Sequence, residues 1–239
     1  MNDSYQEYIN FANTLADAAS IISMQYFRKP LNIDNKNDES PVTIADKNTE
    51  LKIRSMIENK YPNHGILGEE FDNINPNAEF IWVIDPIDGT RSYIAGHKDF
   101  GNLISLTQNK KPIIGIINCP AHDERWVGAK NQNSTLNQQS SKTSTVTKIE
   151  DAYFFSSGLY FNEPHLRNAV DKIKHKVKYF RYGGDCYMYG MVASGLIDFV
   201  IEDTLKVHDY MALVNVCLLY TSDAADEGLG VDLGGRRII

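Results

Sequence analysis

Trp82-Val83-Ile84-Asp85-Pro86-Ile87-Asp88-Gly89-Thr90 is an apolar run that ends in two aspartates three residues apart, followed by Gly-Thr. A short apolar stretch closed by a turn signal reads as a buried strand. Two carboxylates at a strand end can share hard divalent cations, which take oxygen ligands. Pro86 stiffens the turn and removes one backbone donor. Gly89 lets backbone N–H groups approach an anion closely, and the Thr90 hydroxyl can hydrogen-bond a water.

The flanking sequence supplies layers around this strand. Apolar spacing predicts a helix over 4–27, with Tyr8, Phe11, Leu15, Ala18 or Ala19, and Ile22 on one face. After a charged loop at 32–40, a second helix is expected over 43–59, with Ile44, Leu51 and Ile57 inward and Tyr61-Pro62 as its stop. Strands are expected at 65–68, 80–84, 102–107, 112–118 and 126–129. The Asn, Gln, Ser, Thr and Lys-rich segment 131–147 reads as a polar linker between an N-terminal α+β half, 1–130, and a C-terminal α/β half, 148–215. That second half alternates strand 153–156, helix 164–175, strand 179–182, helix 186–194, strand 197–201 and helix 210–219. This mixture predicts α/β or α+β layers. Residues 216–239 read as a non-native tail, similar to translated adapter sequence, so a chain truncated at its C-terminus is expected.

Composition narrows the partners. The 239 residues are 42% hydrophobic and 23% charged, as in a folded globular chain rather than a disordered one. Against 31 Asp and Glu stand 24 Lys and Arg, a net charge of −7. No long basic run offsets this, which argues against nucleic acid or an anionic membrane as partner. Cys119, Cys186 and Cys217 are far apart, which excludes a disulfide framework. With no signal pattern and no membrane-length apolar run, a cytoplasmic compartment is expected.

More acids fall where chemistry needs them. Gly68-Glu69-Glu70 ends another expected strand, Asp209 opens an expected helix, and Asp46 lies near the start of the second helix. Each has a bland alternative. Asp46 can close a capping box with Thr43, Asp209 and Asp185 can cap helices, and Glu70 can be solvated. His208 reads more readily as a hydrogen-bonded structural residue than as a chemical one.

Glu69-Glu70, Asp85 to Thr90, Gly183-Gly184-Asp185 and Asp209 together resemble the signature of the inositol monophosphatase-like, magnesium-dependent, lithium-sensitive phosphatases. The resemblance covers roughly residues 5–215, and Asp-Gly-Thr-Arg-Ser-Tyr-Ile with Arg-Tyr-Gly-Gly-Asp-Cys-Tyr is most similar to the histidinol-phosphate phosphatase branch. It implies a layered αβαβα sandwich of the sugar-phosphatase type, a homodimer, and two or three Mg2+ ions. By the same resemblance Glu69, Asp85 and the Ile87 carbonyl would hold one ion. Asp85, Asp88 and Asp209 would hold another. Thr90, oriented by Asp46, would position the attacking water, and the N–H groups of Gly89 and Thr90 would grip phosphate. Asp185 and Glu202 match positions that face the substrate.

Two ionised acids suit a cationic substrate such as L-histidinol phosphate better than a polyol phosphate. The alternatives are another small phosphate ester, such as inositol phosphate, and a non-catalytic binding protein on a degenerate scaffold. An aspartyl-phosphate mechanism needs an Asp-x-Asp nucleophile, and Asp85 and Asp88 have the wrong spacing for it.

Overall fold

The computed structural model describes residues 5–36, 41–159 and 161–217; of the expected tail, 216–239, Val216 and Cys217 continue the last helix and residues 218 onward lie outside the described residues. In chain order the elements are α1 (Gln6–Tyr26), β1 (Ile33–Asn35), β2 (Pro41–Thr43), α2 (Ile44–Lys60), β3 (Gly65–Gly68), β4 (Phe80–Asp88), α3 (Thr90–Ile94), β5 (Gly101–Gln108) and β6 (Lys111–Cys119). Then come β7 (Glu124–Ala129), β8 (Thr135–Leu136), β9 (Gln139–Ser140), β10 (Tyr153–Ser156), α4 (Pro164–Ile173), β11 (Tyr179–Tyr182), α5 (Asp185–Ala193), β12 (Phe199–Val200) and α6 (Val207–Cys217).

Strands β3 to β9 form one seven-stranded sheet in sequence order. Strand β3 runs parallel to β4, and every later neighbour is antiparallel. Helices α1 and α2 cover one face, where Phe11, Leu15, Ile53 and Ile57 meet Trp82, Ile84 and Ile104 in a buried core. On the other side α5 and α6 bring Met188, Tyr189 and Leu213 against Leu103, Ile117 and Trp126. Strands β11-β10-β12 make a smaller parallel sheet. Parallel neighbours need crossover connections, and α4 and α5 supply them. The two crossovers run in opposite directions across β10. Such crossovers are right-handed as a rule, which puts α4 and α5 on opposite faces and accounts for the αβαβα layering.

Several local expectations change. Strand β4 runs on to Asp88 rather than stopping at Ile84. Segment 32–40 contains β1, and segment 131–147 contains β8 and β9, which extend the large sheet. These strands are two or three residues long, too short for alternation to reveal. The buried face of α2 is Ala45, Asp46, Thr49, Glu50, Ile53, Arg54 and Ile57, whereas Ile44 and Leu51 are nearly half exposed. Its inner stripe is partly polar because it faces the acids at the strand ends. Among the described residues no helix is long and apolar enough to cross a membrane.

Candidate functional site

In a regular strand, residues three apart face opposite sides. Asp85 and Asp88 escape this rule because the β4–β5 register shifts between them. Such an irregularity bends the strand and redirects side chains. The Ile87 amide donates to Asp85 Oδ1 at 3.1 Å, and Asn102 Nδ2 donates to the Pro86 carbonyl at 2.7 Å, which fixes the turn. Asp85, Asp88 and Asp209 then present carboxylate oxygens within 4.8 Å of one another. Glu69, Asp85 and His208 form a second such group, sharing Asp85.

Each ligand candidate is held from behind. Cys186 N, in the first turn of α5, donates to Asp88 Oδ2 at 2.7 Å, and Lys206 N donates to Asp209 Oδ2 at 2.6 Å. Asp209 therefore caps α6 and faces the cluster at once. Burial, then the facing carboxylates of Glu69, Asp88 and Asp209, pushes Asp85 well above the usual carboxylate range. Burial does the same for Asp88, with Asp185 and Asp209 adding to it. Asp209 is also raised by burial. Oxygen donors crowded in this way favour a divalent cation, whose charge removes the repulsion. The donor set therefore fits the expected hard metal.

The loop after β3 depends on two residues that sequence reasoning missed. Buried Glu50 accepts from the Glu70 amide at 2.8 Å through one oxygen and from Arg54 Nε at 2.7 Å through the other. Arg54 also donates to the carbonyls of Phe71 and Asp72. Gly68 is required here, because a Cβ would sit 1.9 Å from Glu50 Oε1. The i, i+4 spacing of Glu50 and Arg54 was the available signal. Lys36 Nζ donates to Glu69 Oε1 at 2.7 Å and Glu70 Oε1 at 2.6 Å. Burial opposes its charge, yet these two partners outweigh it and raise its pKa. Glu70 is not simply solvated; burial pushes it up to about 7.

Asp46 is fully buried and performs two tasks. Its Oδ2 accepts from the Thr43 amide and hydroxyl, closing the capping box of α2. Its Oδ1 faces Thr90 Oγ1 at 3.3 Å, and the same hydroxyl lies 3.1 Å from the Ile87 carbonyl. Burial raises the Asp46 pKa. The Ile87 side chain packs in the core with Ala45, Tyr93 and Phe100. Gly89 has φ +79°, and a Cβ there would meet the Asp185 side chain at 2.8 Å, so the chain turns into α3 only with glycine.

Beyond the acids lies a cavity of about 190 Å3, lined by Asp88, Asp185, Tyr189, Glu202, Asp209 and Leu213 among others. Ser92 Oγ donates to Asp185. Glu202 accepts from the Ser157 amide at 2.9 Å and the Tyr189 hydroxyl at 2.6 Å. Burial raises both pKa values. Asp88, Asp185, Glu202 and Asp209 thus share this cavity, while Glu69 and Asp85 adjoin it through the acid cluster and Asp46 stands behind Thr90.

A layered α/β scaffold with an acid-lined candidate metal site beside a small-molecule cavity is the class these features define. A profile of the inositol monophosphatase family matches residues 4–218, and the chain belongs to that family. It is 41% identical over 206 residues to the chloroplastic bifunctional phosphatase IMPL2 of Arabidopsis thaliana, covering 85% of this chain but only 60% of that relative's length. It is 32% identical to the histidinol-phosphatase of Chlorobaculum parvum, over 87% of this chain and 81% of the other. An inositol monophosphatase from Zymomonas mobilis superposes with a TM-score of 0.81 at 40% identity, covering 90% of this chain and 83% of that one.

Proposed function

We propose that the chain hydrolyses a phosphate monoester with Mg2+, and that the substrate is L-histidinol phosphate. The observation that carries the reading is the shared cavity, where Asp88 and Asp209 meet Asp185 and Glu202. Phosphate held at the first pair leaves the ammonium and imidazole of histidinol facing the second pair. An inositol ring offers only hydroxyls to those two carboxylates. The relative named histidinol-phosphatase supports the same choice. A cytoplasmic setting belongs to this proposal.

Glu69, Asp85 and the Ile87 carbonyl would hold one cation, and Asp85, Asp88 and Asp209 the other. Bound there, such a pair neutralises phosphate charge and makes a hydroxide-like nucleophile accessible near neutral pH. The protein's own part is proton handling and orientation. Thr90 has one hydroxyl proton. Donated to Asp46 Oδ1, it leaves lone pairs to accept a proton from the attacking water. Burial makes the Asp46 carboxylate a stronger base, so a proton relayed through Thr90 comes to rest on Asp46. The amides of Gly89 and Thr90 grip phosphate oxygens at the start of α3.

Phosphate release from L-histidinol phosphate and from inositol 1-phosphate, with and without Mg2+, tests the reading. Asp185→Asn keeps the Ser92 hydrogen bond and tolerates the left-handed backbone at this residue (φ +40°). It should raise KM for histidinol phosphate much more than for inositol phosphate. Equal changes would remove the argument for a cationic substrate, and no Mg2+-dependent release from any ester would remove the enzyme reading itself.

A further inference from the structure

His208 stands where the acid cluster stops being all oxygen. Helix α6 starts at Val207, so His208 and Asp209 leave its first turn in different directions. Asp209 meets Asp85 and Asp88, while His208 meets Glu69 and Asp85. His208 Nε2 lies 3.8 Å from Glu69 Oε1 and 3.5 Å from Asp209 Oδ1, with only 12% of its side chain exposed. Those separations are too long for ordinary hydrogen bonds, which span about 2.7–3.2 Å. The Glu69 separation suits donors that share an ion, since two atoms each about 2.1 Å from one cation lie within about 4.2 Å of each other.

A metal at this position must displace a cation of the protein's own. The Lys36 ammonium already binds Glu69 Oε1, the oxygen nearest the imidazole. It also holds Glu70, so it can release Glu69 without losing both partners.

We infer that the His208 imidazole is a direct donor beside Glu69 and Asp85, making this a mixed nitrogen–oxygen position that takes a borderline cation (Zn2+, Mn2+ or Co2+), while the Asp85, Asp88 and Asp209 position takes Mg2+. Imidazole favours the later first-row metals, whereas an all-carboxylate set suits Mg2+. The two positions are therefore chemically unequal although they share Asp85. The inference rests on the metal-dependent reading above, and it adds which metal each position prefers.

The test uses the whole chain loaded with Mn2+ and examined by pulsed electron paramagnetic resonance. Direct ligation gives a nitrogen modulation that changes when histidines carry 15N and disappears in His208→Gln. Titration with Zn2+ should show about a tenfold or greater loss of affinity in the variant, since even outer partners of a metal ligand are worth that much. Mg2+ binding should stay within about twofold. Melting in chelator checks that the variant folds, and the 15N comparison needs no variant at all. Absence of a nitrogen signal in the unaltered chain, or equal Zn2+ affinity in a folded variant, would overturn the inference. A nitrogen signal in a chain that hydrolyses no phosphate ester would leave the metal position standing and remove the proposed function instead.

Discussion

Thr90 Oγ1 and Asp46 Oδ1 face each other at 3.3 Å, while the other oxygen of Asp46 is bound by Thr43. The sequence offered capping and chemistry as rival roles for Asp46. One carboxylate fills both geometries, with one oxygen for each.

This division makes Asp46→Asn an informative variant. The amide oxygen can keep the two Thr43 bonds, while the NH2 group donates to Thr90 and reverses the polarity of that contact. The expected result is a loss of about a hundred- to ten-thousand-fold in kcat, with little change in KM or melting temperature. Thr90→Ala should lose kcat similarly. Steady-state kinetics at saturating Mg2+ check both, and an unchanged kcat would exclude the proposed relay.

Charge crowding predicts the response to metal. Asp85 is buried among Glu69, Asp88 and Asp209, and its carboxyl is pushed far upward, so the ion-free cluster is destabilising when ionised. Mg2+ at about 100 times its dissociation constant should stabilise the fold by about 2.7 kcal/mol. Asp85→Asn removes one buried charge. It should melt higher than the parent in chelator, lose the Mg2+ shift, and be inactive. Scanning calorimetry with and without Mg2+ decides this, and a parent melting temperature indifferent to Mg2+ would count against an intact site.

The position of Asp209 depends on two strand glycines. A Cβ at Gly115 in β6 would lie 2.0 Å from the Ala212 carbonyl, and one at Gly128 in β7 would lie 2.0 Å from the Asn215 carbonyl. The backbone of α6 therefore rests directly on the sheet. Gly115→Ala must push the helix outward, and a destabilisation of about 1–3 kcal/mol is expected from overpacking. Because α6 carries Asp209, Mg2+ affinity should fall as well. Denaturant unfolding and Mg2+ titration measure the two effects; a variant with parent stability would mean that α6 can shift freely.

What the sequence disclosed follows from the same geometry. Long apolar runs such as Ile81–Ile84 and Ile113–Ile117 announce central strands, because both faces of the sheet are buried. Glu69, Asp85 and Asp88 were legible because they end apolar strands, whereas Asp46, Asp185 and Asp209 stand at helix starts. Helix α3 was not, since its five residues follow a left-handed glycine and have room for little periodicity. The inner face of α2 was misread for a different reason. Apolar spacing cannot reveal a buried stripe that contains Asp46, Glu50 and Arg54, whose burial is compensated by partners distant in sequence. The approach of His208 to Glu69 was hidden likewise, because the two lie on separate segments.

The last prediction concerns acid sensitivity away from the cluster. Trp82 Nε1, buried, donates to His64 Nδ1 at 3.1 Å, and the imidazole stacks on Tyr61 and Phe80 at 4.6 and 5.1 Å. Burial lowers the His64 pKa below 6.5, with Glu79 opposing it. Protonation in the folded chain would set two donors against each other at Nδ1. The unfolded chain meets no such obstacle and binds its proton near pH 6.5. Below that pH the unfolded state holds more protons at this residue, so stability should fall as pH falls toward the depressed folded value. Glu70, raised to about 7, acts with the opposite sign, since its protonated form is favoured in the folded state. The parent's net slope therefore mixes His64 with Glu70 and the other raised carboxyls, and the informative quantity is its difference from His64→Gln. Denaturant midpoints at pH 5.5 and 7.5 should fall more steeply toward acid in the parent than in the variant. Identical slopes would mean that His64 does not titrate differently on folding.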